Sequence, residues 1–398
     1  MNLILLLFIG VFLCICFFVH GAKKYIALSL YSGLLFFTIF LLDGGTRFEE
    51  IETETLGKPR VLRFLVPEGM IPDAIYEQLE KDTGIAVEKT TYSNNQEFEG
   101  IIESGKAFDV AFPTDFMALR MKRLGYALDI DYKRIPNAKM ISAHMSGHAY
   151  FKPLFDCSVP YLFGTLSIGY NRFYFDNLPL SWKTFFDDVI LNKMKGYVAL
   201  NDEMRNMLGI ILKAKGYSPN SINPDEVREA GKYLISIMDA SLPYMTTYGN
   251  DELLVDETVY IGVVWSSEMN QAMEKNPKMR FANADEGSVV LMECFSIMKK
   301  CQDKATAYEF INYMYKPKVS AKVTNLTYRA NLNDGAKPYI RPEILNGPSY
   351  FFPEHDEVII REDLIEGEEI YREVWAEVIS HYEKVIVPKR DEELVLDF

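Results

Sequence analysis

Residues 61–87 read VLRFLVPEGMIPDAIYEQLEKDTGIAV, and their pattern decides the class of fold. Val61–Val66 is an apolar run of the length of a buried strand. Beyond it Ile71, Ala74, Ile75 and Leu79 recur at helical spacing up to Lys81, and Thr83-Gly84 supplies a glycine C-cap. Ile85–Val87 then opens a second strand. Further along, Phe98–Ile102 predicts a second helix and Val110–Phe112 a third strand, stopped by Pro113. Strand–helix alternation with short connections predicts a parallel sheet covered by helices.

The alternation resumes downstream. Helices are expected at Trp182–Asp188, Arg205–Lys215, Glu226–Met238, Ser267–Glu274, Lys304–Met314 and Gly367–Tyr382, and strands at Tyr197–Leu200, Tyr260–Val264 and Val289–Glu293. No fixed-period repeat is present. The pattern reads as two α/β lobes rather than one large sheet. Ligands of such sheets bind beyond the carboxyl ends of strands, which between two lobes is the interdomain cleft.

The chain has 398 residues, 48% hydrophobic and 25% charged, with a formal charge of −14. It is long enough to bury a large core without disulfide or metal staples. Its acidity argues against a nucleic-acid partner, which needs a basic footprint. The first 47 residues hold only Lys23, Lys24, Arg47 and Asp43 as charged side chains. Two apolar segments lie there, 2–22 and 25–42, each near the roughly 20 residues needed to span a bilayer as a helix. Lys23-Lys24 between them belongs on the cytoplasmic side, which puts the acidic bulk outside. We read 1–45 as an uncleaved anchor or signal region and 46–60 as a linker. The rival is a cleaved signal peptide, but the run exceeds the usual 7–15-residue apolar core and Phe40-Leu41-Leu42 offers no small-x-small site. Cys14 lacks the small preceding residue of a lipidation site.

Catalytic machinery is absent from the pattern. The chain has no GxSxG, P-loop, strand-linked GxGxxG or HExxH motif, and we expect no enzyme, no cofactor and no metal. His144 and His148 read as a surface loop or helix face. Cys157, Cys294 and Cys301 are scattered, as in buried free thiols. Three strand ends carry carboxylates near aromatics: Thr114-Asp115-Phe116, Asn201-Asp202-Glu203 and Leu291-Met292-Glu293, and Trp265 ends a fourth strand. Carboxylates at a cleft rim beside an aromatic wall suit an organic ammonium ligand, through ion pairs and ring faces. Singly, each carboxylate reads equally well as a helix cap.

Nine stretches in order carry a resemblance: Glu80–Ile85, Thr91–Asn95, Phe108–Asp115, Ser158–Thr165, Ile168–Asn171, Ser181-Trp182, Lys215–Asn220, Glu286–Ser288 and Phe310–Tyr313. Together they resemble the periplasmic polyamine-binding proteins (the PotD/PotF type), spermidine/putrescine-binding proteins of ABC importers, from about Arg63 to about Tyr382. The resemblance implies a two-lobed periplasmic-binding-protein fold of type II, with 61–165 and 288–340 in lobe 1 and 166–287 and 341–395 in lobe 2. It implies a polyamine held in the cleft and delivered to a permease and its ATPase. A membrane-tethered sensor of a small organic cation is the alternative. Carried over by position, the ligand-binding residues would be Thr114, Asp115, Phe116, Glu203, Trp265, Glu293 and Tyr328, with Glu68, Met70, Arg205 and Asn206 as weaker matches. Pro67 and Met70 stand where the family has cleft aromatics, Leu291 replaces a Trp, and Asn206 replaces a second Glu.

Overall fold

The computed structural model describes residues 60–142, 149–175, 181–353 and 358–395. The expected apolar spans at 2–22 and 25–42, the linker at 46–60 except Arg60, and His144 and His148 lie outside the described residues. Among the described residues no helix is long and apolar enough to cross a membrane.

The first half follows its pattern closely. Strand β1 (Arg60–Pro67) leads into α1 (Asp73–Thr83), β2 (Ile85–Tyr92), α2 (Asn95–Glu103), β3 (Val110–Ala111) and α3 (Asp115–Arg123). β1 pairs in parallel with both β2 and β3. Gly84, at φ 72°, ends α1 in the left-handed region that a glycine adopts without steric cost. The core on this side is aromatic. Phe112 and Phe295 rings lie 4.6 Å apart, and Phe64 and Phe310 rings 5.1 Å apart.

After residue 142 the chain enters β4 (Val159–Asn171), a thirteen-residue strand. Then come β5 (Val198–Asn201), α4 (Met204–Ala214), α5 (Pro224–Ser241), β6 (Tyr244–Thr246), α6 (Asn250–Val255), β7 (Ile261–Trp265), α7 (Ser266–Lys275), β8 (Met279–Ala282) and β9 (Ser288–Ile297). Next come α8 (Lys304–Met314), α9 (Pro317–Thr327), β10 (Ala330–Asn331), β11 (Val358–Ile359) and α10 (Glu368–His381), and a last helix, α11 (Val387–Val395), follows a π-turn at Tyr382–Ile386. The helix expected over Trp182–Asp188 is broken into Trp182–Phe185 and a second helix from Asp188.

The strands form one hydrogen-bonded path, β2-β1-β3-β9-β4-β7-β5-β6, with β8 and β10 on β4 and β11 on β9. This differs from two separate parallel sheets. β9 is antiparallel to β3 at Ile297 and Ser296, and antiparallel to β4 from Phe295 back to Val289. β4 in turn runs antiparallel to β7 and β8. The sequence pattern predicts no strand at 159–171, because an apolar stretch buried on both faces shows no alternation.

The second core packs α4, α5 and α10 on one face of β5 and β7, around Trp182, Leu208, Leu234 and Tyr371. Gly231, within α5, lets α10 approach closely: a Cβ there would lie 2.2 Å from Val374 Cγ1. A further set of contacts straps the segment before α10 to α3. Arg120 on α3 pairs with Asp363 (2.8 Å), Glu99 and Glu368, and Arg123 pairs with Asp363 (2.8 Å). The three core cysteines are buried free thiols.

Gly231→Val should destabilise the protein by about 1–3 kcal/mol through overpacking. Chemical denaturation checks it, and a midpoint unchanged from wild type would mean that α10 shifts freely.

Candidate functional site

The loop that follows β3 is fixed from three directions. Phe112 N donates to Leu65 O (2.8 Å), the Tyr92 hydroxyl donates to Phe112 O (2.8 Å), and Cys294 N donates to Pro113 O (2.9 Å). Asp115, the first residue of α3, accepts from Phe116 N through Oδ1 (2.7 Å) and from Met292 N through Oδ2 (3.3 Å). The result is a bridge between Thr114 and Glu293 on β9. A turn and a strand distant in sequence thus bring one hydroxyl and one carboxylate together.

Both face a cleft of about 480 Å³, mouth included. One wall is β1 and β2 ends, Pro67, Met70 and Tyr92, with Ser93, Asn94 and Asn95 at the start of α2. Asn94 Oδ1 caps that helix by accepting from Glu97 N (2.9 Å). The other wall holds Glu203 and Asn206 at the start of α4, Thr247 and Tyr248 after β6, Trp265 at the end of β7, and Leu291 and Glu293 on β9. Trp265 lies flat enough on β4 that a Cβ at Gly164 would meet its ring at 3.5 Å.

The cleft therefore brings together Thr114, Glu203, Trp265, Glu293, Met70 and Asn206 of the expected residues. Glu203 also caps α4, accepting from Asn206 N (2.8 Å), so the capping and site readings coincide in one side chain. The other expected residues do not line it. Asp115 is buried behind the loop as its fastener. Phe116 is buried with the guanidinium carbons of Arg361, Arg205 and Arg120 at 5.1, 5.6 and 5.8 Å from its ring centroid. Arg205 donates to Asn220 Oδ1 (2.9 Å) and Glu362 O (3.1 Å) and stacks on Tyr371. Tyr328 donates to Glu274 (2.6 Å), and Glu68 is exposed.

The cleft also holds residues that the sequence does not single out, Thr247, Tyr248 and Arg361 among them. Arg361, 3% exposed, donates through Nη1 to Asn206 Oδ1 (2.9 Å) and stands 3.5 Å from Glu203 Oε2. It follows β11 in a stretch with no helical or strand pattern, so only the substitution at Asn206 hinted at a new partner there.

Residues 74–347 match the family described as bacterial extracellular solute-binding protein. The chain belongs to that family. The solute-binding protein is 28% identical over 293 residues, 69% of its length and 80% of the relative's, to the putrescine/cadaverine-binding protein of Pseudomonas aeruginosa. It is 26% identical over 286 residues, 71% of its length and 80% of the relative's, to the spermidine/putrescine-binding periplasmic protein of Salmonella typhimurium. Among solved structures it superposes on the spermidine/putrescine ABC transporter substrate-binding protein PotD of Streptococcus pneumoniae. The TM-score is 0.67 at 24% identity, over 81% of this chain and 99% of the other. The solute-binding protein has the mixed α/β two-domain fold of periplasmic binding proteins.

Electrostatics set the carboxylates of this solute-binding protein apart. Burial pushes the Glu293 carboxyl up to about 7, with Asp115 adding to the push and Arg329 and Arg361 opposing it. Burial likewise raises Asp115 to about 6 against the pull of Arg361 and two backbone N–H groups. Glu268 accepts from Gly249 N (2.6 Å) and is raised to about 7 by burial. In each case the folded state holds a proton that the unfolded chain has released. Stability is therefore greatest in mild acid and falls as pH rises from the ordinary carboxylate range towards about 7. Glu293→Gln should flatten that fall and leave the variant more stable than wild type at pH 8 by on the order of 1–3 kcal/mol. Denaturation midpoints at pH 5 and pH 8 test this; a slope like that of wild type would mean that Glu293 is ionised throughout.

Proposed function

We propose that this chain is an extracytoplasmic substrate-binding protein that captures an organic ammonium compound of the polyamine class and delivers it to an ABC importer. The observation that carries the proposal is the cleft itself. Glu293 on β9 and Glu203 at the start of α4 are carboxylates brought to one cleft from two different elements, with Trp265 and Tyr248 supplying ring faces between strand ends. A primary ammonium there exchanges water for charge-assisted hydrogen bonds, and its methylene chain lies on the aromatic faces. The names of the relatives and the shared fold support the same ligand class. Nothing in this arrangement is a nucleophile–base pair, and the reading is of a carrier without catalysis.

In this reading residues 61–165 and 288–340 form one lobe and 166–287 and 341–395 the other, and the lobes close over the ligand. Thr114, Glu203, Trp265 and Glu293 contact it, with Met70 and Asn206 lining its path. Asp115, Phe116 and Arg205 position these groups from behind, and Tyr328 and Glu68 lie at the periphery. The segments 2–22 and 25–42 hold the protein at the outer face of the cytoplasmic membrane, beside its permease and ATPase.

Titration calorimetry with putrescine and spermidine should give micromolar or tighter binding, and Glu203→Gln with Glu293→Gln together should abolish it. Affinity should rise from pH 5 to pH 8, since Glu293 must lose its proton to receive a cation. Undiminished binding in the double variant would remove these two residues from the site.

A further inference from the structure

Among the described residues, the buried side-chain atoms of the cleft that lack a hydrogen-bond partner are all donors. Arg361 uses Nη1 for Asn206 and Glu203, while its Nε and Nη2 have no partner among the described residues. Those two atoms form one edge of the guanidinium, the edge that receives both oxygens of a carboxylate side by side. Its plane is held by Phe116, whose ring centroid lies 5.1 Å from the guanidinium carbon. Trp265 Nε1, on the same cleft, is also buried without a partner. Buried charged donors left unpaired are strongly disfavoured, so this edge is built to meet an acceptor.

A diamine supplies none. Its second ammonium would come to rest near a guanidinium, in a cleft where Asn206 stands in place of a second Glu and already accepts from Arg361. We infer that the preferred ligand is an ω-amino carboxylate, a linear diamine with one terminal ammonium exchanged for a carboxylate. The ammonium end pairs with Glu293, and the carboxylate lies bidentate on Arg361 Nε and Nη2. Trp265 Nε1 is a further donor for an oxygen of the ligand. The inference rests on the reading of the cleft as a receptor for an organic ammonium group.

The test is calorimetric titration of the full chain, purified in detergent, with 4-aminobutyrate, 5-aminopentanoate, putrescine and butyrate. At least one of the two amino carboxylates should bind about tenfold or more tighter than putrescine, and butyrate far more weakly. Arg361→Lys keeps the charge but loses the edge, and should weaken the amino carboxylate about tenfold. Arg361→Gln should weaken the amino carboxylate and tighten putrescine. Thermal melts of both variants confirm the fold. Putrescine binding tighter than both amino carboxylates, no binding of either, or an amino-carboxylate affinity unmoved in Arg361→Lys overturns the inference. Failure of the underlying ammonium reading looks different: butyrate would match 4-aminobutyrate, and Glu293→Gln would change neither.

Discussion

The antiparallel pairing of β4 with β9 is the constraint on which the rest depends. From Val159 against Phe295 to Leu166 against Val289, with a slip between Pro160 and Leu162, the two strands form a ribbon that carries hydrogen bonds to both halves of the sheet. β9 hands its far end to β3, and β4 hands its far end to β7 and β8. Every strand end that reaches the cleft is therefore referenced to one ribbon. Glu293 sits on it, Thr114 is bridged to it, and Trp265 lies across Gly164 within it. A ladder of backbone hydrogen bonds is a stiffer reference than loop contacts, which suits a site that must hold charged groups out of water.

Cations inside the protein explain much of what lies behind the cleft. Phe116 is an aromatic platform for guanidinium groups, and the groups belong to the chain itself: Arg361, Arg205 and Arg120. Asp115, Glu203 and Glu293 all stand in the field of Arg361. A buried carboxylate with a buried guanidinium nearby avoids the full desolvation cost of an isolated charge, and each fixes the rotamer of the other. The chemistry anticipated for a ligand, rings and carboxylates around a cation, is partly turned inward to hold the site's own frame.

The first α/β units were legible because their strands are short and bounded by Pro and Gly and their helices carry clear apolar spacing; β1 to α3 fall where Val61–Val66 through Pro113 predict. β4 was not, because its residues are buried on both faces and no alternation marks it. The quoted sequence stretches turn out to be fasteners as much as contacts. Asp82 accepts from the Tyr313 hydroxyl (2.7 Å), Asp109 takes the Nε–Nη2 edge of Arg63 (2.9 and 2.7 Å), and the Trp182 indole donates to Gly287 O (2.7 Å) while its amide donates to Glu286 (2.8 Å). Such pairs are tens to hundreds of positions apart, so the pattern shows the residues but not the pairing. Four strand-end positions reached the cleft as expected. Arg361 did not announce itself, since a single arginine in an irregular segment has no periodic context.

The clasp at Arg120 has an effect that precedes any cargo. One guanidinium on α3 meets Glu99 on α2 as well as Asp363 before α10 and Glu368 at its start, and Phe116, one helical turn earlier, meets Arg361 on the same segment. Parting α3 from that segment would break all of these pairs at once. This packing thus has support that no visitor supplies. Arg361 reaches the cleft from that same segment and rests on Phe116 of α3, so α3 keeps this side of the cleft in register from behind it.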